Sequence, residues 1–184
     1  NDTDSNSSGV ISFSDMIPAA GMAHIRHLIY SASGNPTYTS GPHEGVAKGI
    51  NAGMLEQIDV ALTEAALSLD ATNLDNIKLH AGQVINIIEG TEGANFDISH
   101  GNPGDGIGVL NYAADARKHA EFTLEAVPSD ANVAKFSSQV SESSDNVANW
   151  AGMARDMAVT ALNSSTTTAA KAFMTNSQTL LGRA

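Results

Sequence analysis

The chain has 184 residues, no cysteine and a formal net charge of −11; 42% of its residues are hydrophobic and only 5% are aromatic. That length suffices for one well-buried domain, and the scarcity of aromatic residues favours close-packed helices over a β-sandwich or barrel. The charge disfavours nucleic acid as a partner, because no basic patch can neutralise phosphates. Without cysteine, the chain cannot form disulfides, thiolate metal sites or a covalent c-type haem attachment.

Residues 1–14 are predicted to be a polar leader ahead of a single domain, residues 15–184. The opening segment N-D-T-D-S-N-S-S-G is typical of a linker that follows a removed signal peptide. We therefore expect an exported protein, either periplasmic or extracellular. No stretch of about 18 uninterrupted apolar residues occurs, so we expect no transmembrane segment.

Apolar residues recur with a helical period through most of the chain, interrupted by Gly/Pro/Asn turns. Two helix–loop–helix hairpins are predicted, one over residues 15–72 and one over residues 73–128. Their four helices are expected at about residues 15–33, 45–69, 74–89 and 107–126. Two Gly-containing loops, about 34–44 and 90–107, connect the helices within the hairpins.

The C-terminal part, residues 129–184, is predicted to contain a long helix to about Asn163 and a short helix over about 169–181. The fold class is therefore all-α: a four-helix up-down bundle of two duplicated hairpins, with a long C-terminal helix packed across it. The periodicity places Leu55 of the second helix and Phe136 of the long helix on the faces directed to the core.

A faint internal repeat places histidines at matching positions in the two hairpins. A-H-I-R-H-L-I-Y in the first corresponds to L-H-A-G-Q-V-I-N-I-I-E-G in the second, which pairs His24 with His80. The loop segments G-P-H-E-G and S-H-G-N-P-G-D-G then pair His43 with His100. Duplicated units share a shape and in some proteins a site.

All six histidines are candidate metal ligands: His24, His27, His43, His80, His100 and His119. His24 and His27 are three residues apart, so one helical turn can present both to one ion. His80 lies on an apolar stripe, where a buried imidazole needs a hydrogen-bond partner or a metal. Each also has an ordinary alternative: a hydrogen-bonded core residue for His80, loop capping for His43 and His100, and a solvated face for the others.

Two kinds of cofactor fit this composition. A haem would use His24 and His80 as its axial pair, whereas an iron, copper or zinc ion would be bound by several imidazoles. Asp97, Asn102 and Asp105 offer oxygen ligands in the Gly-rich loop, but no EF-hand pattern surrounds them, so calcium is not expected. No catalytic motif such as G-x-S-x-G, a P-loop or a zincin helix occurs, and we expect no enzyme.

The segments L-H-A-G-Q-V-I-N-I-I-E-G and N-P-G-D-G-I-G-V-L, with R-H-L-I and K-G-I-N-A-G-M-L-E-Q before them, cover about residues 23–125. They resemble exported bacterial proteins of uncharacterised function that carry a His-Ala-x-x-Val-x-Asn-Ile-Ile-Glu-Gly helix end and an Asn-Pro-Gly-Asp-Gly loop. The resemblance implies an extracytoplasmic helical protein and supplies no catalytic residues.

The sequence thus predicts an extracytoplasmic, non-enzymatic helical bundle that binds a transition metal or haem through histidines. Its role would be electron transfer, metal handling or cofactor-supported assembly. The alternative is a purely structural subunit of a homo-oligomer, a tubule or a larger enzyme complex. The absence of catalytic motifs and the Ala-rich long helix are compatible with that alternative.

Overall fold

The structure is a computed structural model, and it describes residues 17–30 and 47–184. The prediction of an all-α fold is confirmed for these residues, whose regular elements are helices. Within the same ranges, no helix has the length and apolar character that crossing a membrane would require. The elements in chain order are α1 (Ala19–Ile29), α2 (Ile50–Asp70), α3 (Leu74–Glu89), a 3₁₀ turn (Ile98–His100), α4 (Val109–Ala126), α5 (Ala131–Leu162) and α6 (Thr167–Leu181).

Helix boundaries from Leu74 onward follow the local signals in the sequence. Asn73 caps α3 by accepting a hydrogen bond from the Asn76 backbone N–H at 2.8 Å, and Gly90, with φ of 73°, ends the helix. Asp130 caps α5 in the same way as Asn73 caps α3. These predicted boundaries are confirmed to within one or two residues.

The first two helices are shorter than predicted. α2 begins at Ile50 rather than near Gly45, because Gly49 is extended (φ −61°, ψ 135°) and forms the N-cap. α1 ends at Ile29 rather than near Ser33, because Tyr30 is extended at φ −121° and ψ 154°.

The core is aliphatic and rich in alanine, as the composition predicts. α3 contacts α2, α4, α5 and α6, and every residue from Val84 to Gly90 is buried. Small side chains allow this crowding, because helices approach more closely where the contact residues are small. The long helix α5 contributes a stripe of fully buried alanines with helical spacing: Ala151, Ala154, Ala158 and Ala161.

The helices do not pair mainly within the predicted hairpins. α3 packs more extensively against α2 and α5 than against α4, and α1 packs more extensively against α4 than against α2. α6 packs against α5, α2 and α3, so the C-terminal helices belong to the core itself. The four-helix up-down arrangement from duplicated hairpins is therefore not confirmed.

Two residues expected in the core lie at the surface. Leu55 of α2 is 61% exposed and Phe136 of α5 is 58% exposed. Both follow the apolar period of their helices, but no helix among the described residues covers that part of either helix. The period identifies which residues share a face, whereas the packing partners decide whether that face is buried.

The Gly-rich loop between α3 and α4 is fixed by two buried side chains of α3. Asn86 donates to the carbonyls of Asp97 and Gly101 at 2.7 and 2.8 Å, and its Oδ1 accepts from the Asp97 N–H at 2.9 Å. Glu89 accepts two hydrogen bonds from Asn95 and one from Arg155 of α5, at 2.6 to 2.7 Å. The loop is thereby attached to the core at three points of its length.

The two ends of this loop meet backbone to backbone. Gly90 and Gly108 have φ of 73° and 97°, and a Cβ atom at either position would collide with the backbone of the other end of the loop. Only glycine tolerates both the positive φ and the close contact with another backbone segment. This close approach sets where α4 begins relative to the end of α3.

The packing of α6 makes Met174 a test of the core. Met174 is fully buried, whereas Met153 of α5 is 42% exposed. Met174→Ala is expected to lower the free energy of unfolding by about 2–5 kcal/mol, through lost apolar burial and a residual cavity. Met153→Ala is the matched control and should cost less than about 0.5 kcal/mol. Urea denaturation measures both; equal effects would contradict the placement of α6 in the core.

Candidate metal centre

Three histidines converge where α1 packs against α4. His24 and His27 lie one turn apart on α1, and His119 faces them from α4. One ring nitrogen from each of the three lies within 4.8 Å of those of the other two. Among the described residues, this is the one group of three or more His, Cys, Asp or Glu side chains close enough to share an ion.

The imidazole rings are in mutual contact. The Nδ1 atoms of His24 and His119 are 3.1 Å apart. The ring centroid of His119 lies 5.2 Å from that of His24 and 4.8 Å from that of His27, in the latter case edge to face. Phe122, one turn after His119 on α4, packs against His24 at 4.9 Å between centroids and closes one side of the cluster.

The surroundings of His119 and His24 favour the neutral form of these two imidazoles. Partial burial lowers the pKa of His119 to about 4, assisted by the nearby His27, His24 and Lys118. Burial and His27 also lower the pKa of His24, against the opposing charge of Glu125. A metal ion binds the neutral form of imidazole, so these shifts keep ligands in the binding form at neutral pH.

Two chemical states are compatible with this arrangement. In the first, one of the two facing Nδ1 atoms of His24 and His119 carries a proton and donates it to the other in a hydrogen bond. In the second, a metal ion replaces that proton, and His27 provides a third nitrogen ligand. The first state involves the rings of His24 and His119, whereas the second would bring all three rings to one ion.

The structure places His80 away from this cluster. Its Nδ1 lies 2.7 Å from Glu64 Oε2 of α2 and 2.9 Å from Gln83 Oε1. This is the arrangement of a partly buried histidine that has found hydrogen-bond partners in the core. The carboxylate of Glu64 is itself buried, so the pair joins α2 to α3.

His100 also lies elsewhere, and His43 falls outside the described residues. His100 ends the 3₁₀ turn, with its ring packed over Gly82 of α3 and its Nε2 at 3.8 Å from Asp97 Oδ2. A side chain at position 82 would occupy the place of the His100 ring. The packing of His100 against Gly82 therefore holds the Gly-rich loop against α3.

The oxygen ligands of the Gly-rich loop are used within the fold. Asp97 accepts from the Ser99 N–H, and Asn102 accepts from the Gly104 N–H. Asp105 is buried and accepts from the Tyr112 hydroxyl at 2.7 Å and from Lys48 at 3.2 Å. These hydrogen bonds shape the loop and attach it to α4 and to the start of α2.

Comparison with known proteins adds no functional assignment, since no family model, curated protein or solved structure matches the chain significantly. The resemblance to exported bacterial proteins therefore stays a prediction, and the arguments about function depend on the geometry of the cluster.

The sequence identified all three members of the cluster as candidates but not their grouping. The spacing of His24 and His27 predicted a shared ion, and this part of the hypothesis agrees with the geometry. His119 carries no local signal beyond its place at the edge of an apolar stripe. Its position three residues before Phe122, on a helix that packs against α1, becomes meaningful only in the folded chain.

The lowered pKa of His119 predicts a pH dependence of stability. An unfolded histidine has a pKa of about 6.5, so between about pH 6.5 and pH 4 the unfolded chain binds a proton that the folded chain does not. The stability from a neutral His119 is therefore complete above about pH 6.5 and declines as the pH falls towards 4. In metal-free buffer, the melting temperature of the protein should fall more between about pH 7 and pH 5 than that of His119→Gln. Parallel pH profiles for the two proteins would contradict the burial of a neutral imidazole.

Proposed function

We propose that this protein is an extracytoplasmic, non-enzymatic helical protein that binds one divalent transition-metal ion through His24, His27 and His119 and serves in metal handling. The observation that carries the proposal is the convergence of three ring nitrogens from two helices within 4.8 Å. The resemblance to exported proteins supports the location, and the lack of catalytic motifs supports a non-enzymatic role.

The distances suit a bare metal ion. Zinc binds imidazole nitrogen at about 2.0–2.1 Å, so two nitrogens on a tetrahedral ion lie about 3.3 Å apart. The observed separation of 3.1 Å between His24 Nδ1 and His119 Nδ1 is close to that value. Small side-chain rotations bring His27 into the same shell, because its ligating nitrogen already lies within 4.8 Å of the others.

The donor set favours zinc or copper over iron or haem. Imidazole is a good ligand for both metals, whereas the common non-haem iron site adds a carboxylate to two histidines. The cluster found among the described residues contains no carboxylate. A haem would need a flat slot between its axial histidines, but here the rings of His24 and His119 touch and Phe122 packs beside them.

A site with three protein ligands has a position left for an exchangeable ligand. Structural zinc sites close their shell with four protein ligands, and sites that exchange a ligand keep one position open. Partial burial of all three histidines leaves this position reachable from solvent. Acquisition and delivery of an ion fit that arrangement better than a permanent structural role. On this proposal the site involves only one histidine of the repeated pair, His24 and not His80.

Metal titration with matched histidine variants tests the proposal. Wild-type protein stripped with a chelator should bind one Zn²⁺ or Cu²⁺ per chain in isothermal titration calorimetry. His24→Gln, His27→Gln and His119→Gln should each weaken binding by more than the roughly 10–100-fold loss that follows when only a hydrogen-bond partner of a ligand is removed. His80→Gln removes a histidine outside the cluster and should bind as the wild type does.

Two results would contradict this function. Equal losses in His80→Gln and His119→Gln would show that binding does not depend on the cluster. Stoichiometric iron with a Soret band in natively purified protein would show a haem instead of a bare ion. Absorption spectra and elemental analysis of one sample detect the second result.

A further inference from the structure

A cavity separate from the histidine cluster opens between α1 and the first turns of α5. Its volume is about 400 Å³, within the 300–1,000 Å³ range of small-molecule sites. The walls are mainly aliphatic and aromatic: Ile25, Leu28 and Ile29 of α1, and Val133, Phe136 and Val140 of α5.

The cavity combines a packed base with an open mouth. Leu28 and Val133 are 7% and 6% exposed, whereas Ile29 and Phe136 are 55% and 58% exposed. The exposure of Phe136 is the feature that the periodicity of α5 did not predict. Large apolar side chains exposed around a concavity are typical of a site for an apolar partner.

The charge at one end of the cavity indicates the kind of partner. Asp130 is the one charged side chain among the described residues that line it; the other polar linings are Asn, Ser and Thr. Its Oδ1 accepts from the backbone N–H groups of Asn132 and Val133 at 2.8 and 3.0 Å. The N-terminus of α5, which would otherwise attract an anion, is thus already occupied by a built-in carboxylate.

We propose that this cavity binds a small apolar amine, with its hydrocarbon body between α1 and α5 and its ammonium group at Asp130. An ammonium group gains a charge-assisted hydrogen bond there, whereas an anionic head group would face a carboxylate. The net charge of −11 also favours the approach of a cationic ligand over an anionic one. This proposal is independent of the metal site, since the two sets of lining residues do not overlap.

Three probes with the same hydrocarbon tail test the proposal: octylamine, octanol and octanoate, titrated calorimetrically into the full chain below micelle-forming concentrations. Octylamine should bind at one site per chain and about tenfold more tightly than octanol, the advantage expected for one charge-assisted contact. Octanoate should bind most weakly. Asp130→Asn keeps an oxygen that can cap α5 but removes the charge, so the affinity for octylamine should fall to that for octanol.

A pair of apolar variants locates the binding. Phe136→Ala should weaken all three probes, whereas Leu67→Ala, which removes a 43% exposed side chain of α2 away from the cavity, should leave them unchanged. The proposal is overturned if no probe binds saturably, if octylamine and octanol bind wild type equally, or if both variants behave alike. It is also overturned if the protein sediments as a dimer and Phe136→Ala converts that dimer to a monomer. The cavity surface around Phe136 would then be a contact with a second copy of the chain.

Discussion

Residues 84–89 at the end of α3 constrain the rest of the fold. Each of these side chains is buried, and the two polar ones, Asn86 and Glu89, form the hydrogen bonds that fix the loop that follows. Each buried polar group left without its partner would cost about 1–3 kcal/mol, so the loop has little freedom to detach. Gly108 also packs against the backbone of Gly90, so the same contacts fix where α4 begins. The position of α4 in turn decides where His119 lies relative to α1.

Helix α1 links the two proposed sites. It contacts α4 and α2, and its adjacent faces serve different purposes: His24 and His27 point to the cluster, and Ile25 and Leu28 line the cavity. A metal ion bound by both α1 and α4 would add a cross-link to the side-chain packing and the His24–His119 contact that already join the two helices.

From Leu74 onward the sequence predicts the helices well because their ends are marked locally. Asn73 and Asp130 are caps, Gly90 is a stop, and the alanines of α5 keep one face over many turns. Which helices pair is not encoded locally. The repeat pointed to His24 with His80, but Glu64 of α2 lies at 2.7 Å from His80 and satisfies it in the core. The grouping of His119 with His24 and His27 depends on the packing of α4 against α1, between segments far apart in the chain.

The metal centre is tested most directly by X-ray absorption at the zinc edge on protein loaded with one equivalent of zinc. The account predicts a first shell dominated by imidazole nitrogen at about 2.0–2.1 Å, with the outer-shell scattering of histidine rings. In His119→Gln the number of imidazoles should fall, while in His80→Gln the spectrum should match the wild type. An all-oxygen shell, or a spectrum unchanged in His119→Gln, would show zinc held by surface carboxylates and would contradict the account.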